Sequence, residues 1–301
     1  MIRRWLWLSL CFICVARFVD AAEFEREQIV FGDVNLRVQV TGDLSKKEAF
    51  KLMRKAFKIA KDYDATFSPY REDSELSKIN QVGNKQKRQK ISRRMAIALK
   101  TAESMRVKTH GSFDAGYETP SVKRPIYHIN KKNELVYLEA EGRINPTGLI
   151  KGLCVDEITE TMMARAKVKS VMVAASGDIR VASKEGRGKE IILENPKNPK
   201  QRKGLMLKNT AISTSGEYRR GHHLINTGNG KGRAIQISVL AKDCLTSDTL
   251  DTALFYLDDE AIRSVLKNFP EVEVYVLEKK GGYRVINGKT PGHLAESVNW
   301  R

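Results

Sequence analysis

Asp248 and Thr252 stand four residues apart in Ser247-Asp248-Thr249-Leu250-Asp251-Thr252-Ala253. On a helix that spacing puts both side chains on one face. A carboxylate beside a hydroxyl suits a hard cation such as magnesium, which takes oxygen ligands and also binds substrate phosphates. The same spacing serves a helix cap followed by a core-facing hydroxyl. Lys151 lies between Gly148 and Gly152 in Asn145-Pro146-Thr147-Gly148-Leu149-Ile150-Lys151-Gly152. A helix that begins there aims backbone N–H groups and an ammonium at a phosphate, or carries a surface lysine on its first turn. Between Ala211 and Gly230, Thr214-Ser215-Gly216 offers two hydroxyls and an unobstructed amide, with glycine free to take the positive φ that anion-binding turns need. His223 follows, sharing a strand face with Ile225 while Leu224 takes the other. This stretch also reads as a hairpin with a polar tip and a solvated arginine pair.

These residues need elements to hold them. From Phe24 to Gly42 apolar and polar residues alternate, which predicts a β-hairpin turning near Gly32-Asp33. Ser45-Lys46-Lys47-Glu48 is a capping-box pattern, and the helix it opens has Ala49, Met53, Ala56, Phe57 and Ala60 on one stripe, with lysines on a solvated face. A turn at Ser68-Pro69 leads into a short helix capped by Ser74 or Asp73, and Ser92 to Val107 forms a second amphipathic helix. Strands follow at Lys169 to Ala174, in short pieces between Lys184 and Lys208, and at Arg233 to Leu240. After the Asp248 segment come a helix from Asp259 to Asn268 and strands Val272 to Leu277 and Tyr283 to Ile286. Strands and helices interleave without repeats or long linkers, so the chain reads as one α+β globule.

Several of these stretches, in the same order, resemble the motifs of the FAD:protein FMN transferases, the ApbE-type flavin transferases. Ser68-Pro69-Tyr70 through Ser74-Glu75-Leu76-Ser77 to Asn80 is similar to S-x-Y-x-x-x-S-E-L-S-x-x-N, and Thr109 to Asp114 to T-x-G-x-F-D. Asn145 to Asp156 resembles D-x-G-G-I-A-K-G-x-x-x-D. Ala174 to Ile179 resembles N-x-G-G-D-I, Thr214 to Tyr218 TSG-x-Y, His223 to Asn226 H-x-I-D, and Ser247 to Ala253 A-D-A-x-x-T-A. The resemblance spans roughly residues 30 to 280. The chain departs from it at Asn145, Thr147, Ile150, Ala174, Ser176, Asn226-Thr227, Ser247 and Thr249, and Ser121 to Glu141 lacks the tryptophan-containing segment usual there.

The resemblance implies a T-fold-related domain with mixed or antiparallel sheets and flanking helices. It also implies an exported enzyme that moves FMN from FAD to a threonine or serine of a partner protein, a membrane electron-transport subunit, releasing AMP. The alternatives are an FAD pyrophosphatase that uses water, and a flavin-binding protein without activity. By the same resemblance Ser68, Tyr70, Ser74, Glu75 and Asn80 line the flavin, with the Tyr70 ring stacked on the isoalloxazine. Asp114 and Asp178 each hold either a cofactor hydroxyl or a neighbouring loop. Lys151 and Thr214 to Gly216 hold phosphates, and His223 is the base. Mg²⁺ sits on Asp248, Thr252 and the backbone carbonyl of Ile150, a group that any residue at that position supplies.

At 301 residues the chain can bury a sizeable core. Met1-Ile2-Arg3-Arg4, the mostly apolar run Trp5 to Ala16 and the small residues Ala21-Ala22 read as a cleavable signal peptide over residues 1–22. The run is too short for a comfortable membrane span, which takes roughly 20 residues. The working domain is therefore 23–301, exported to the periplasm. Its removal takes away Arg3, Arg4, Arg17 and Asp20 and lowers the formal charge from +17 by only two. A basic protein of this kind favours an anionic small molecule, an acidic partner or an anionic membrane surface. Export and the lack of a binding motif speak against nucleic acid. Cys154 and Cys244 are left to form one disulfide or remain buried thiols.

Overall fold

The computed structural model of the chain describes residues 22–82, 88–119, 125–137, 142–216, 234–278, 283–287 and 295–298. The alternation at the start produces the hairpin: strands β1 (Ala22–Val30) and β2 (Val34–Gly42) pair antiparallel around a turn at Phe31 and Gly32, with φ of 50° and 82°. Leu36, Val38 and Val40 face the core, and the polar residues between them look outward. Helix α1 (Lys46–Phe67) starts at the capping box, where Ser45 accepts from the Glu48 amide and Glu48 reaches back to the Ser45 amide. Its stripe of Ala49, Met53, Ala56, Phe57 and Ala60 is buried, and Lys51, Lys55, Lys58 and Lys61 are exposed. The short helix α2 (Glu75–Val82) begins after Ser74, whose hydroxyl accepts from the Ser77 amide at 3.0 Å. Strand β3 (Arg88–Lys90) leads to α3 (Arg93–Lys108), with Ser92 as its cap.

Strands β4 (Tyr127–Ile129) and β5 (Glu134–Tyr137) complete a small sheet with β3. A 3-10 turn at Thr147–Leu149 runs into α4 (Ile150–Met163). Next come β6 (Val168–Ala175), β7 (Asp178–Ser183), β8 (Lys189–Asn195), β9 (Asn198–Leu207) and β10 (Thr210–Gly216). The chain continues through β11 (Ala234–Ala241), α5 (Cys244–Leu254), α6 (Asp259–Leu266), β12 (Glu273–Glu278), β13 (Tyr283–Asn287) and β14 (Ala295–Val298). The region between Lys184 and Lys208, read as short pieces, is one antiparallel hairpin, because Leu193, Leu205 and Leu207 bury one face of it while Glu190, Ile192, Glu194 and Arg202 stay exposed on the other.

The main sheet has the order β1-β2-β6-β7-β10-β11-β12-β13, and all of its neighbours are antiparallel. One face carries the helices over the larger core. On the other, β8 and β9 close a smaller core of Val181, Leu193, Leu205, Leu207, Ile212, Leu240 and Tyr275. Strand β11 is therefore covered on both faces and reads as an almost continuous apolar run. The expected α+β class, antiparallel sheets with flanking helices, is what the chain adopts. Cys154 and Cys244 are buried, unpaired thiols, the second of the two alternatives. Among the described residues no helix is long and apolar enough to cross a membrane.

Candidate active site

The site is built where α4 meets α5. Gly152 lets them approach: a Cβ there would lie 2.5 Å from the Cys244 carbonyl oxygen and 2.9 Å from the Asp248 Cβ. Asp156, one turn further along α4, accepts the amides of Cys244 at 2.9 Å and Leu245 at 2.8 Å, so the first N–H groups of α5 end on a carboxylate. Arg180 of β7 pairs with the same carboxylate at 2.7 Å. Burial raises the Asp156 carboxyl to about 6, against the pull of that guanidinium. The last aspartate of the Asn145–Asp156 block thus fixes where α5 starts, and with it the side chains one turn on.

Asp248 is buried, with Oδ2 accepting the Gly152 amide at 2.8 Å and Oδ1 3.1 Å from the Lys151 ammonium. That ammonium also pairs with Asp178 Oδ2 at the start of β7. Asp251 completes the group: Asp178, Asp248 and Asp251 each offer an oxygen within 4.8 Å of the others, and all three are buried. Ser215 at the end of β10 donates to Asp251, and Thr252 Oγ1 donates to Asp251 Oδ1 at 3.2 Å. Burial, then the charge of Asp178, pushes the Asp248 carboxyl up to about 7, and burial lifts Asp251 well above the carboxylate range. The two neighbouring carboxylates raise Lys151 despite its burial.

Asp248, Thr252 and Lys151 do converge, and Ile150, which opens α4, turns its bulky side chain into the core. The Lys151 ammonium, expected at a phosphate, lies between the buried carboxylates of Asp178 and Asp248. Asp178, expected to hold a loop or a cofactor hydroxyl, stands in this cluster with Asp248 and Asp251. Thr214 bonds Ser238 across the β10–β11 pair at 2.9 Å, Ser215 turns to Asp251, and Gly216 ends the strand opposite Gln236. His223 and the turn around Asn226 lie outside the described residues.

The Tyr70 block is arranged with its ring outward: Tyr70 is 93% exposed, free to stack on a planar ligand. The others in that block make protein contacts. Ser74 donates to the Ser68 carbonyl at 2.7 Å, Glu75 accepts the Ser92 amide at 2.6 Å, and Asn80 bonds both backbone groups of Ile144, at 2.8 and 2.9 Å. Asp114 accepts the Gly116 amide at 2.8 Å, the loop-holding alternative. Two departures prove to be coupled. Asn145 accepts the Thr147 hydroxyl at 2.6 Å while its amide donates to Glu118 at 2.7 Å and Tyr117 at 3.0 Å, and an aspartate could not make the donations.

Asp251 is the site residue that motif reading passes over, because the A-D-A-x-x-T-A pattern leaves its position open. Its signal was the i, i+3 spacing from Asp248, which puts both carboxylates on one helix face. A divalent cation fits this donor set: all-oxygen ligands suit a hard ion, and among the described residues Asp178 Oδ1 is buried without a hydrogen-bond partner.

A family model described as "ApbE family" matches residues 33–123 and 118–276. A protein of Haemophilus influenzae named FAD:protein FMN transferase is 28% identical over 265 residues, covering 73% of this chain and 76% of that protein. Among solved structures, the flavin transferase ApbE from Vibrio cholerae matches with a TM-score of 0.74 at 20% identity, over 89% of this chain and 97% of that one. The ApbE protein of Thermotoga maritima matches with a TM-score of 0.76 at 20% identity, over 89% and 97%. At that identity the two structures establish the shared fold.

Proposed function

The chain belongs to the ApbE family, and on that premise we propose that it is an FAD:protein FMN transferase, moving FMN from FAD to a threonine or serine hydroxyl of an acceptor protein. The observation that carries the reading is the convergence of Lys151, Asp178, Ser215 and Asp248, from four separate sequence blocks, on one buried acidic cluster.

In the proposed reaction the acceptor oxygen bonds to the FMN phosphorus of FAD, and the bond from that phosphorus to the bridging oxygen breaks. AMP leaves with the bridging oxygen. The hydroxyl proton goes to His223, proposed as base from its motif and from an ordinary pKa near neutrality. Asp178, Asp248, the Thr252 hydroxyl and the Ile150 carbonyl would hold Mg²⁺, which would supply positive charge to the pyrophosphate. Lys151 holds Asp178 and Asp248 together while the ion is absent, and Gly152 aims its amide at Asp248. Tyr70 offers an exposed ring to the isoalloxazine.

Export to the periplasm is proposed from the basic and apolar residues at the start of the chain. A membrane electron-transport subunit as acceptor, and contact with an anionic membrane surface, are proposed from the family motifs and the basic balance. The test incubates the 23–301 chain with FAD, Mg²⁺ and a threonine-containing acceptor fragment and reads an FMN mass increment. Transfer should vanish with EDTA and in Asp248→Ala. FMN and AMP released at the same rate without acceptor would instead make the protein a pyrophosphatase.

A further inference from the structure

We propose that Asp251 is a third carboxylate ligand of the cation, added at a position the family motif leaves open, and that it lets this chain capture a divalent cation before any flavin nucleotide arrives. The inference rests on the reading above that the cluster holds a cation. Charge is the first argument. In the ionised form that ligates a metal, Asp178, Asp248 and Asp251 with the single ammonium of Lys151 carry two negative charges in a buried space, the amount one divalent ion neutralises. Without Asp251 the deficit would be one, and a nucleotide phosphate would be needed to balance the ion.

Geometry is the second argument. The Asp251 carboxylate accepts from Ser215 and Thr252, yet a carboxylate has about four lone-pair directions and so keeps capacity for an ion. The two hydroxyls fix its orientation from β10 and from its own helix. Asp178 Oδ1, 1% exposed as a residue and without a hydrogen-bond partner among the described residues, belongs to the same group and awaits a donor or an ion. Three carboxylates from two elements then enclose the position, as oxygen-ligand cation sites do.

The test titrates the metal-free 23–301 chain with Mn²⁺, followed by electron paramagnetic resonance, without nucleotide and then with FAD. Asparagine at 251 keeps an acceptor oxygen for the two hydroxyls and removes the charge, so Asp251→Asn separates ligation from positioning. The expected result is Mn²⁺ binding by the wild type without FAD, weakened at least ~10-fold in Asp251→Asn. Affinity within about twofold of wild type would overturn the proposal, since Asp251 would then only orient its neighbours. Mn²⁺ bound by the wild type only when FAD is present overturns it too, while sparing the transferase reading; no binding under either condition removes both. Should Asp251→Asn fail to fold, a crystal of the wild type soaked in Mn²⁺ decides by anomalous scattering. A bond from the ion to Asp251 is expected, and an ion held by Asp178 and Asp248 alone overturns the proposal.

Discussion

The backbone nitrogen of Gly152 donates to Asp248 Oδ2 across 2.8 Å, joining the first turn of α4 to the middle of α5. No side chain fits between them, because a Cβ on residue 152 would meet the Leu245 Cα at 2.8 Å as well as the Cys244 carbonyl. These are backbone atoms, so relief requires the helices to part. Gly152→Ala should cost about 1–3 kcal/mol in denaturant unfolding and should lower Mg²⁺ affinity along with it. Wild-type affinity in a destabilised variant would break the proposed link between helix spacing and the site.

Lys151 neutralises part of a buried acidic group, with its side chain 29% exposed. Removing one partner of such a pair leaves charge without compensation, which typically costs about 3–5 kcal/mol. Lys151→Met should therefore unfold at lower denaturant in EDTA, and Mg²⁺ should restore a large part of the loss. A lysine serving only to grip phosphate would leave metal-free stability unchanged and weaken FAD binding instead.

Acid and metal should both stabilise the protein by neutralising the same buried carboxylate, and so should compete for it. Burial, and next the Asp178 charge, raises Asp248 to about 7, against about 3.9 in an unfolded chain. A raised acid contributes its stabilisation fully below the unfolded value and loses it as pH climbs through the folded one. From roughly pH 4 to 7 the metal-free protein should lose this contribution, while the ionised form that binds cations becomes populated. The difference in Tm between Mg²⁺ and EDTA should then be small at pH 5 and grow to a plateau above pH 7. A difference independent of pH would contradict ligation by Asp248.

Ser176 occupies left-handed backbone, φ 57°, at a position where the family motif has glycine. Its side chain is exposed, so nothing packs against it to offset the conformational cost. Ser176→Gly should stabilise the protein by up to about 1 kcal/mol, seen as a higher denaturation midpoint. A lower midpoint would mean that the hydroxyl, not the backbone, decides this turn.

Much of this was legible along the chain because its causes are local. The β1–β2 hairpin follows from alternation, α1 from Ser45 and Glu48 with its buried stripe, and the shared face of Asp248 and Thr252 from a spacing of one helical turn. What the order of residues could not give is which distant groups meet. Lys151 reads as a phosphate ligand until α4, β7 and α5 bring Asp178 and Asp248 to its ammonium, and Asp251 reads as an ordinary helix residue until Ser215 arrives from β10. Periodicity and capping act over a few residues, whereas these meetings are set by sheet order and by how closely Gly152 lets two helices approach. The sequence by itself determined the elements and the inventory of reactive groups; the tertiary structure decided their pairing, because burial in one shared space is what forces charges to find partners.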